Sequence, residues 1–356
     1  MEVNPEFWRG KRVFLTGHTG FKGGWLSLWL QSMGSDVHGY ALNPPTQTNL
    51  FTEASVSTDM ASSVIADIRE SDKLSLAMQL AKPDIVFHLA AQPLVRYSYA
   101  QPVETYEVNV LGTVHMFEAV RATPSVKAVV NVTTDKCYEN HERAQGYRED
   151  EAMGGFDPYS SSKGCAELVT SAYRRSFLEP SGIGLASARA GNVIGGGDWA
   201  DDRLIPDFLR AMDVCETLSI RCPQAIRPWQ HVLEPLSGYL MLAEKLYTKP
   251  NNFSEAWNFG PTDEDARPVS WIIERMAELR KDVAWQCDEA SQPHEANYLK
   301  LDSSKANNQL NWTPHWRLQT ALQKTLEWHE AWRQQKDMKL VTLMQIDEYQ
   351  SDRKDD

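Results

Sequence analysis

Thr16-Gly17-His18-Thr19-Gly20-Phe21-Lys22-Gly23 stands between an apolar run at residues 12–15 and the helix-like Gly24-Trp25-Leu26-Ser27-Leu28-Trp29-Leu30. A strand, a glycine-rich turn and a helix in that order let backbone N–H groups and the helix N-terminus face a diphosphate without a Cβ in the way. This is the dinucleotide-binding arrangement, with Gly17, Gly20 and Gly23 as its glycines and Phe21 and Lys22 within the turn. The spacing is Gly-x-x-Gly-x-x-Gly, not the commoner Gly-x-Gly-x-x-Gly, so the fingerprint is met in its physical logic and not in its letters.

Outward from that turn, short apolar runs alternate with helical stretches, the pattern of a doubly wound parallel sheet. Strands are expected at 12–15, 37–42, 63–65, 85–88, 128–132 and 184–187, and helices at 24–33, 71–80, 103–122 and 158–177. The runs at 84–89 and 127–132 are apolar throughout, as strands covered on both faces are. The fold class is therefore α/β, a doubly wound parallel (Rossmann) sheet, with a smaller C-terminal domain.

The chain has 356 residues, 42% of them hydrophobic, which is enough for a large core and more than one domain. With 36 basic and 48 acidic residues its net charge is −12, which repels polyanions and argues against nucleic acid as a partner. No window of about 18 apolar residues suggests a membrane span, and the N-terminus lacks a signal-peptide core, so a cytoplasmic protein is expected. The five cysteines at 137, 165, 215, 222 and 287 are odd in number and form no Cys-x-x-Cys, so they are expected reduced, without a structural metal.

Two further stretches carry chemistry. In Asp157-Pro158-Tyr159-Ser160-Ser161-Ser162-Lys163, a helix begun by Pro158 places Tyr159 and Lys163 four residues apart on one face. Tyrosine titrates near about pH 10, so it serves as a base only where positive charge lowers its pKa; Lys163 is placed to do that. By itself the spacing fits a surface Tyr and Lys equally well. At the end of the second strand, Tyr40-Ala41-Leu42-Asn43 offers no acid for an adenosine ribose, leaving Asn43 as the polar group. No arginine stands there for a 2′-phosphate, which favours NAD over NADP. Asp67, after the third strand, can accept from an adenine amino group or cap a helix.

The Thr-Gly-x-x-Gly-Phe-x-Gly turn, Asp67-Ile68, His88-Leu89-Ala90-Ala91-Gln92, Asn109-Val110-x-Gly112-Thr113, Thr133-Thr134-Asp135, Tyr159-x-x-x-Lys163 and Arg189-Ala190-Gly191-Asn192-Val193 together resemble the extended short-chain dehydrogenase/reductase family. They occur in that family's order over most of residues 11–200. Thr134-Asp135 and Gly195-Gly196-Gly197-Asp198-Trp199 are similar to its sugar-nucleotide 4,6-dehydratases, and Lys136 after the aspartate resembles the branch that acts on CDP-glucose.

The resemblance implies an NAD-dependent hydro-lyase of deoxysugar and O-antigen precursor biosynthesis, taking CDP-glucose to its 4-keto-6-deoxy form. Ile68, Leu89, Ala90, Ala91 and Asn109 would join the cofactor contacts. Tyr159 would take the C4 hydroxyl proton with Thr134 bonded to that oxygen, and Lys163 would orient the nicotinamide ribose. Asp135 would protonate the leaving C6 hydroxyl, which at neutral pH requires a raised pKa. Where relatives place a glutamate as the C5 base, this chain has Lys136. It acts either as a neutral base, if burial and nearby cations lower its pKa, or as a charge stabilising the C4 enolate or holding Asp135.

For the substrate, Asn192, Arg203 and Arg227 are expected at the diphosphate and ribose, with Gln92 and Ser98 near the hexose. Arg203 in Asp201-Asp202-Arg203 equally fits a surface ion pair, and His231 reads as structural. Trp25 and Trp29 read as core or interface, and Trp199 as a residue bordering the substrate. The NAD-binding domain would be 1–188 with 228–262 returning to it, the substrate-binding domain 189–227 and 263–335, and 336–356 a charged, frayed tail. Helices 103–122 and 158–177 would pair with their copies in a four-helix bundle, giving a homodimer. Two other readings remain, a nucleotide-sugar C4-epimerase, which would leave Asp135 idle, and a non-catalytic NAD sensor, which would need only the glycine turn.

Overall fold

The computed structural model describes residues 2–280, 284–288 and 298–352. Its central sheet has seven strands: β1 (Arg12–Thr16), β2 (Asp36–Ala41), β3 (Ser62–Ile65), β4 (Ile85–His88), β5 (Ala128–Val132), β6 (Gly184–Ala190) and β7 (Ala256–Phe259). They lie in the order β7-β6-β5-β4-β1-β2-β3, every pair parallel. The winding reverses between β1 and β4, and the crevice past the carboxyl ends at such a reversal is where ligands of open α/β sheets bind. Thr16 and His88 end those two strands in register, and Thr16 Oγ1 accepts from the Leu89 and Ala90 amides at 3.1 Å each.

The longer helices are α1 (Phe21–Ser32), α2 (Ser71–Ala81), α3 (Gly112–Arg121), α4 (Pro158–Tyr173), α5 (Leu204–Val214), α6 (Leu233–Thr248), α7 (Val269–Leu279), α8 (Leu318–Arg333) and α9 (Met338–Asp352). Alternate strand residues face opposite layers. Val13, Leu15, Ile85, Phe87 and Val130 pack with Trp25 and Trp29 of α1, Leu236 and Tyr239 of α6 and Tyr349 of α9. Phe14, Val86, Val129 and Leu185 pack with Leu74 and Met78 of α2 and Met116 and Phe117 of α3. A third cluster joins α5, α7 and α8 through Phe208, Leu209, Ile272, Ile273, Met276 and Leu322. Residues 281–283 and 289–297 lie outside the described residues.

Several expectations need correcting. β6 runs on to Ala190, because β7 pairs with it that far. The helix expected at 103–122 is three pieces, Pro102–Tyr106, a π-helical turn at Glu107–Leu111, and α3. The tail at 338–352 is not frayed. It forms α9, where Thr342 Oγ1 accepts from Trp328 Nε1 at 2.9 Å, Tyr349 meets Trp29 edge-on, and its hydroxyl donates to Glu234 at 2.8 Å. Residues 353–356 lie outside the described residues.

Candidate active site

Gly17 has φ 78°, and a Cβ there would lie 2.8 Å from the Ala90 nitrogen; at Gly23 it would lie 2.1 Å from the Gly17 carbonyl oxygen. Neither position can carry a side chain, so the β1–α1 turn closes tightly on itself and on the loop after β4. α1 begins at Phe21, three residues earlier than expected, with Gly20 as its N-cap and no side chain over its first amides. Phe21, Lys22 and Gly23 thus present an uncapped, positive helix end to a cavity.

That cavity holds about 640 Å³. Into it the fold brings Gly17, Gly20, Phe21, Lys22 and Gly23, Asn43 after β2, Asp67 and Ile68 after β3, and Leu89, Ala90 and Ala91 after β4. Thr134, Asp135 and Lys136 follow β5, Tyr159 and Lys163 project from α4, and Asn192, Arg203 and Arg227 close the far side. Beyond them the cavity reaches residues 218–222 and Trp229, and Trp199 lines it.

The catalytic strip is built locally. Asp157 caps α4, its Oδ1 accepting from the Ser160 amide at 2.9 Å, and Pro158 occupies the first turn. Tyr159 and Lys163 are both buried, 8% and 7% exposed, on the same face. Burial pushes the Tyr159 phenol up to about 12, reinforced by Asp135 and opposed by a Thr134 hydrogen bond and the Arg203 charge. The expected lowering by Lys163 is thus not the outcome in the protein alone. Desolvation of the phenolate outweighs the charges around it, and burial pushes Lys163 itself down to about 8. Thr134 Oγ1 donates to Asp135 Oδ1 at 2.9 Å. Burial also raises the Asp135 carboxyl, against the cations Lys136, Arg227 and Lys22.

Three expected contacts lie behind the wall. Gln92 donates from Nε2 to Thr105 Oγ1 at 2.9 Å and accepts from the Leu94 amide through Oε1. Ser98 donates to the Val95 carbonyl and accepts from the Tyr159 amide at 3.1 Å. Asn109 bonds both the amide and the carbonyl of Gln92, and donates to Ser162 Oγ at 2.9 Å. None of the three lines the cavity; each braces a segment that does. Asp67 lines it, but its carboxylate is engaged by the Arg69 amide and guanidinium. Arg203 pairs with Asp198 at 2.8 Å, not with Asp201 or Asp202. His231 is buried between Trp25 and Trp316, a structural place.

Two features go beyond the sequence reading. Lys22, expected at the cofactor, also feels the catalytic cluster: burial and the charges of Arg203 and Lys163 push its amine down to about 8 against the pull of Asp135. Beneath the cavity, Glu167 pairs with Arg189 at 2.7 Å. The signal for it was present, since Glu167 continues the four-residue spacing of Tyr159 and Lys163.

A family model described as GDP-mannose 4,6 dehydratase matches residues 14–325. The chain is 56% identical over 355 residues, 98% of its length and 99% of the relative's, to CDP-glucose 4,6-dehydratase of Salmonella typhimurium strain LT2. It superposes on dTDP-glucose 4,6-dehydratase from Bacillus anthracis in complex with NAD at a TM-score of 0.74, with 21% identity and coverage of 89% and 96% of the two chains. For UDP-glucuronic acid 4-epimerase from Bacillus cereus, in complex with UDP-glucuronic acid and NAD, the TM-score is 0.77 at 21% identity, over 90% and 99%. These two likenesses show a shared fold.

Proposed function

The chain belongs to the GDP-mannose 4,6 dehydratase family, and from that premise we propose that it is an NAD-dependent hydro-lyase converting CDP-glucose to CDP-4-keto-6-deoxy-glucose. The observation that carries this reading is the convergence of Thr134, Asp135, Lys136, Tyr159 and Lys163 in one cavity with the glycine turn. The site fits the dinucleotide: Gly17 and Gly23 let the turn close tightly on the loop after β4 and on itself, and the uncapped start of α1 faces the cavity. Phe21, Lys22 and Gly23 would hold its diphosphate, Asn43 its adenosine ribose, and Lys163 its nicotinamide ribose.

When bound, NAD would take a hydride from C4 and, once water has left, return it to C6 while a proton goes back to C5, so the net reaction is loss of water. Tyr159 receives the C4 hydroxyl proton while Thr134 bonds that oxygen. Oxidation at C4 acidifies the C5 proton, and Lys136 removes it. Asp135, whose carboxyl burial raises against the neighbouring cations, gives a proton to the departing C6 hydroxyl. A C4-epimerase would have no leaving group for that acid. Arg203, Arg227 and Asn192 receive the nucleotide diphosphate, and residues 218–222 bound the far end of the cavity.

Val103, Leu111, Leu168 and Phe177 are exposed on the Pro102–Leu111 segment and along α4 and the turn after it, which supports a homodimer in which these helices meet their copies. Among the described residues no helix is long and apolar enough to cross a membrane, in keeping with work in the cytoplasm. Incubation with NAD and the CDP-, dTDP- and GDP-linked hexoses tests the reading. A 4-keto-6-deoxy product from the CDP sugar supports it, and no such product from any of the three refutes it.

A further inference from the structure

Glu167 is a buried carboxylate that the proposed reaction does not use. Its Oε2 pairs with Arg189 Nη2 at 2.7 Å, both side chains 4% exposed, and accepts from Ser187 Oγ at 2.7 Å. Its Oε1 accepts from Thr133 Oγ1. Arg189 is fixed in turn, donating to Tyr138 OH at 2.6 Å and to the Glu149 carbonyl at 3.2 Å, and Tyr138 donates to Asn258 at 2.8 Å. None of Glu167, Ser187 or Arg189 lines the cavity, so substrate does not reach them.

Burying an ion pair is weak evidence for stability, because desolvation cancels much of the attraction. Position explains this one better. Glu167 lies one helical turn beyond Lys163 on α4, and its other oxygen holds Thr133, the residue before Thr134-Asp135. One carboxylate therefore touches both segments that carry the catalytic groups. We propose that Glu167 is a positioning residue for the dehydration: it clamps Thr133-Thr134-Asp135 against α4 and sets a buried carboxylate one helical turn from the Lys163 amine. This rests on the dehydratase reading above.

The neighbours agree. The charge that raises Lys163 against burial is Glu167; the nearby Cys137 thiol is pushed up by burial and stays neutral, and Lys22 from α1 and His88 from β4 also feel the charge of Lys163. Facing Glu167 are Arg189 from β6, Arg174 in the turn just after α4, and Cys137. Although burial opposes it, Arg189 and the Thr133 and Ser187 hydrogen bonds hold Glu167 below its ordinary value, so it is ionised at neutral pH.

Glu167→Gln removes the charge and keeps the shape. With NAD and CDP-glucose, kcat should fall about 10- to 100-fold with KM within about twofold. The alkaline limb of the kcat profile should move about one pH unit lower, because Lys163 loses the charge that held its proton. Acylation of Lys163 against pH, read by peptide mass spectrometry without substrate, should show the same displacement. Thr133→Val keeps the charge and loses the clamp, so kcat should drop with the alkaline limb unmoved. A wild-type protein without dehydratase activity would overturn the functional reading itself. An active wild type beside a Glu167→Gln variant with unchanged kcat and unchanged Lys163 titration overturns the positioning role. Should Glu167→Gln not fold, wild-type kcat in Thr133→Val overturns it.

Discussion

The Thr134 hydroxyl donates to Asp135 Oδ1 at 2.9 Å, while the other oxygen of that buried carboxylate, Oδ2, has no hydrogen-bond partner. An unmatched oxygen in a buried site is costly when charged and suits a group that carries a proton for transfer. Thr134 also acts to lower the Tyr159 pKa against burial, so one hydroxyl bears on both the group that takes the C4 proton and the group that gives one to the C6 oxygen.

Asp135→Asn should separate chemistry from stability. Asp135 has a raised pKa in the folded protein, so the folded state holds the proton over the window between the unfolded and folded values, and stability falls as pH rises through it. Asparagine removes that loss. The variant should melt higher than wild type at neutral and alkaline pH, with the difference closing below the ordinary carboxylate range. Its dehydration rate should fall about 10²- to 10⁴-fold while C4 oxidation persists. Melting curves across pH with a product assay check both halves; full dehydration by the variant would remove Asp135 as the acid.

Lys136 bears on the next step. Lys136→Ala should still oxidise C4, seen as nicotinamide reduction in a single turnover, yet stall before water leaves. In deuterium oxide its sugar should take up little label at C5. Rapid C5 exchange in this variant would assign the proton to another group and leave Lys136 an electrostatic part, and unimpaired turnover would take it out of the mechanism.

Lys22 and Lys163 predict a pH dependence of stability of a definite sign. Burial is the largest cause for each, and it brings both down to about 8 from an ordinary value of 10.5. Between those values the unfolded chain binds more protons than the folded one, so stability rises with pH. Lys163→Met should therefore melt higher than wild type at pH 7, and the advantage should shrink as pH climbs through about 8 to 10.5. An advantage that grows with pH would contradict the burial account. The same variant should lose C4 oxidation, since the charge beside Tyr159 is gone.

What was legible in the sequence was local. The strands at 85–88 and 128–132 have the expected bounds, because apolar runs covered on both faces leave no other reading. The glycine turn and the Tyr159–Lys163 face followed from backbone sterics and helical spacing. Which side of a wall a side chain points to was not legible, and Gln92, Ser98 and Asn109, expected at the ligands, make hydrogen bonds that brace the cavity's walls from behind. Glu167 gains its meaning from Arg189, 22 residues onward on another strand. The buried positions of α9 include Thr342 and Gln345 beside Met338, Ile346 and Tyr349, so its apolar stripe is interrupted and read as a tail.

That helix supplies the last test. Glu234 is fully buried and accepts from the His315 amide at 2.9 Å, the Trp316 amide at 2.6 Å and the Tyr349 hydroxyl at 2.8 Å. Tyr349→Phe removes one donor to a buried carboxylate and keeps the ring against Trp29, which should cost about 1.5–3 kcal/mol. Deleting residues 336–356 should cost more, because Trp29 and Trp328 then lose the cover of Tyr349 and Thr342. No residue of α9 lines the cavity, so Tyr349→Phe should leave kcat near wild type while its denaturant midpoint drops. A midpoint unchanged in both variants would mean that α9 does not dock on the sheet in solution. A kcat that falls while the midpoint holds would instead mean that α9 reaches the catalytic strip, against its place on the face of the sheet shared by α1 and α6.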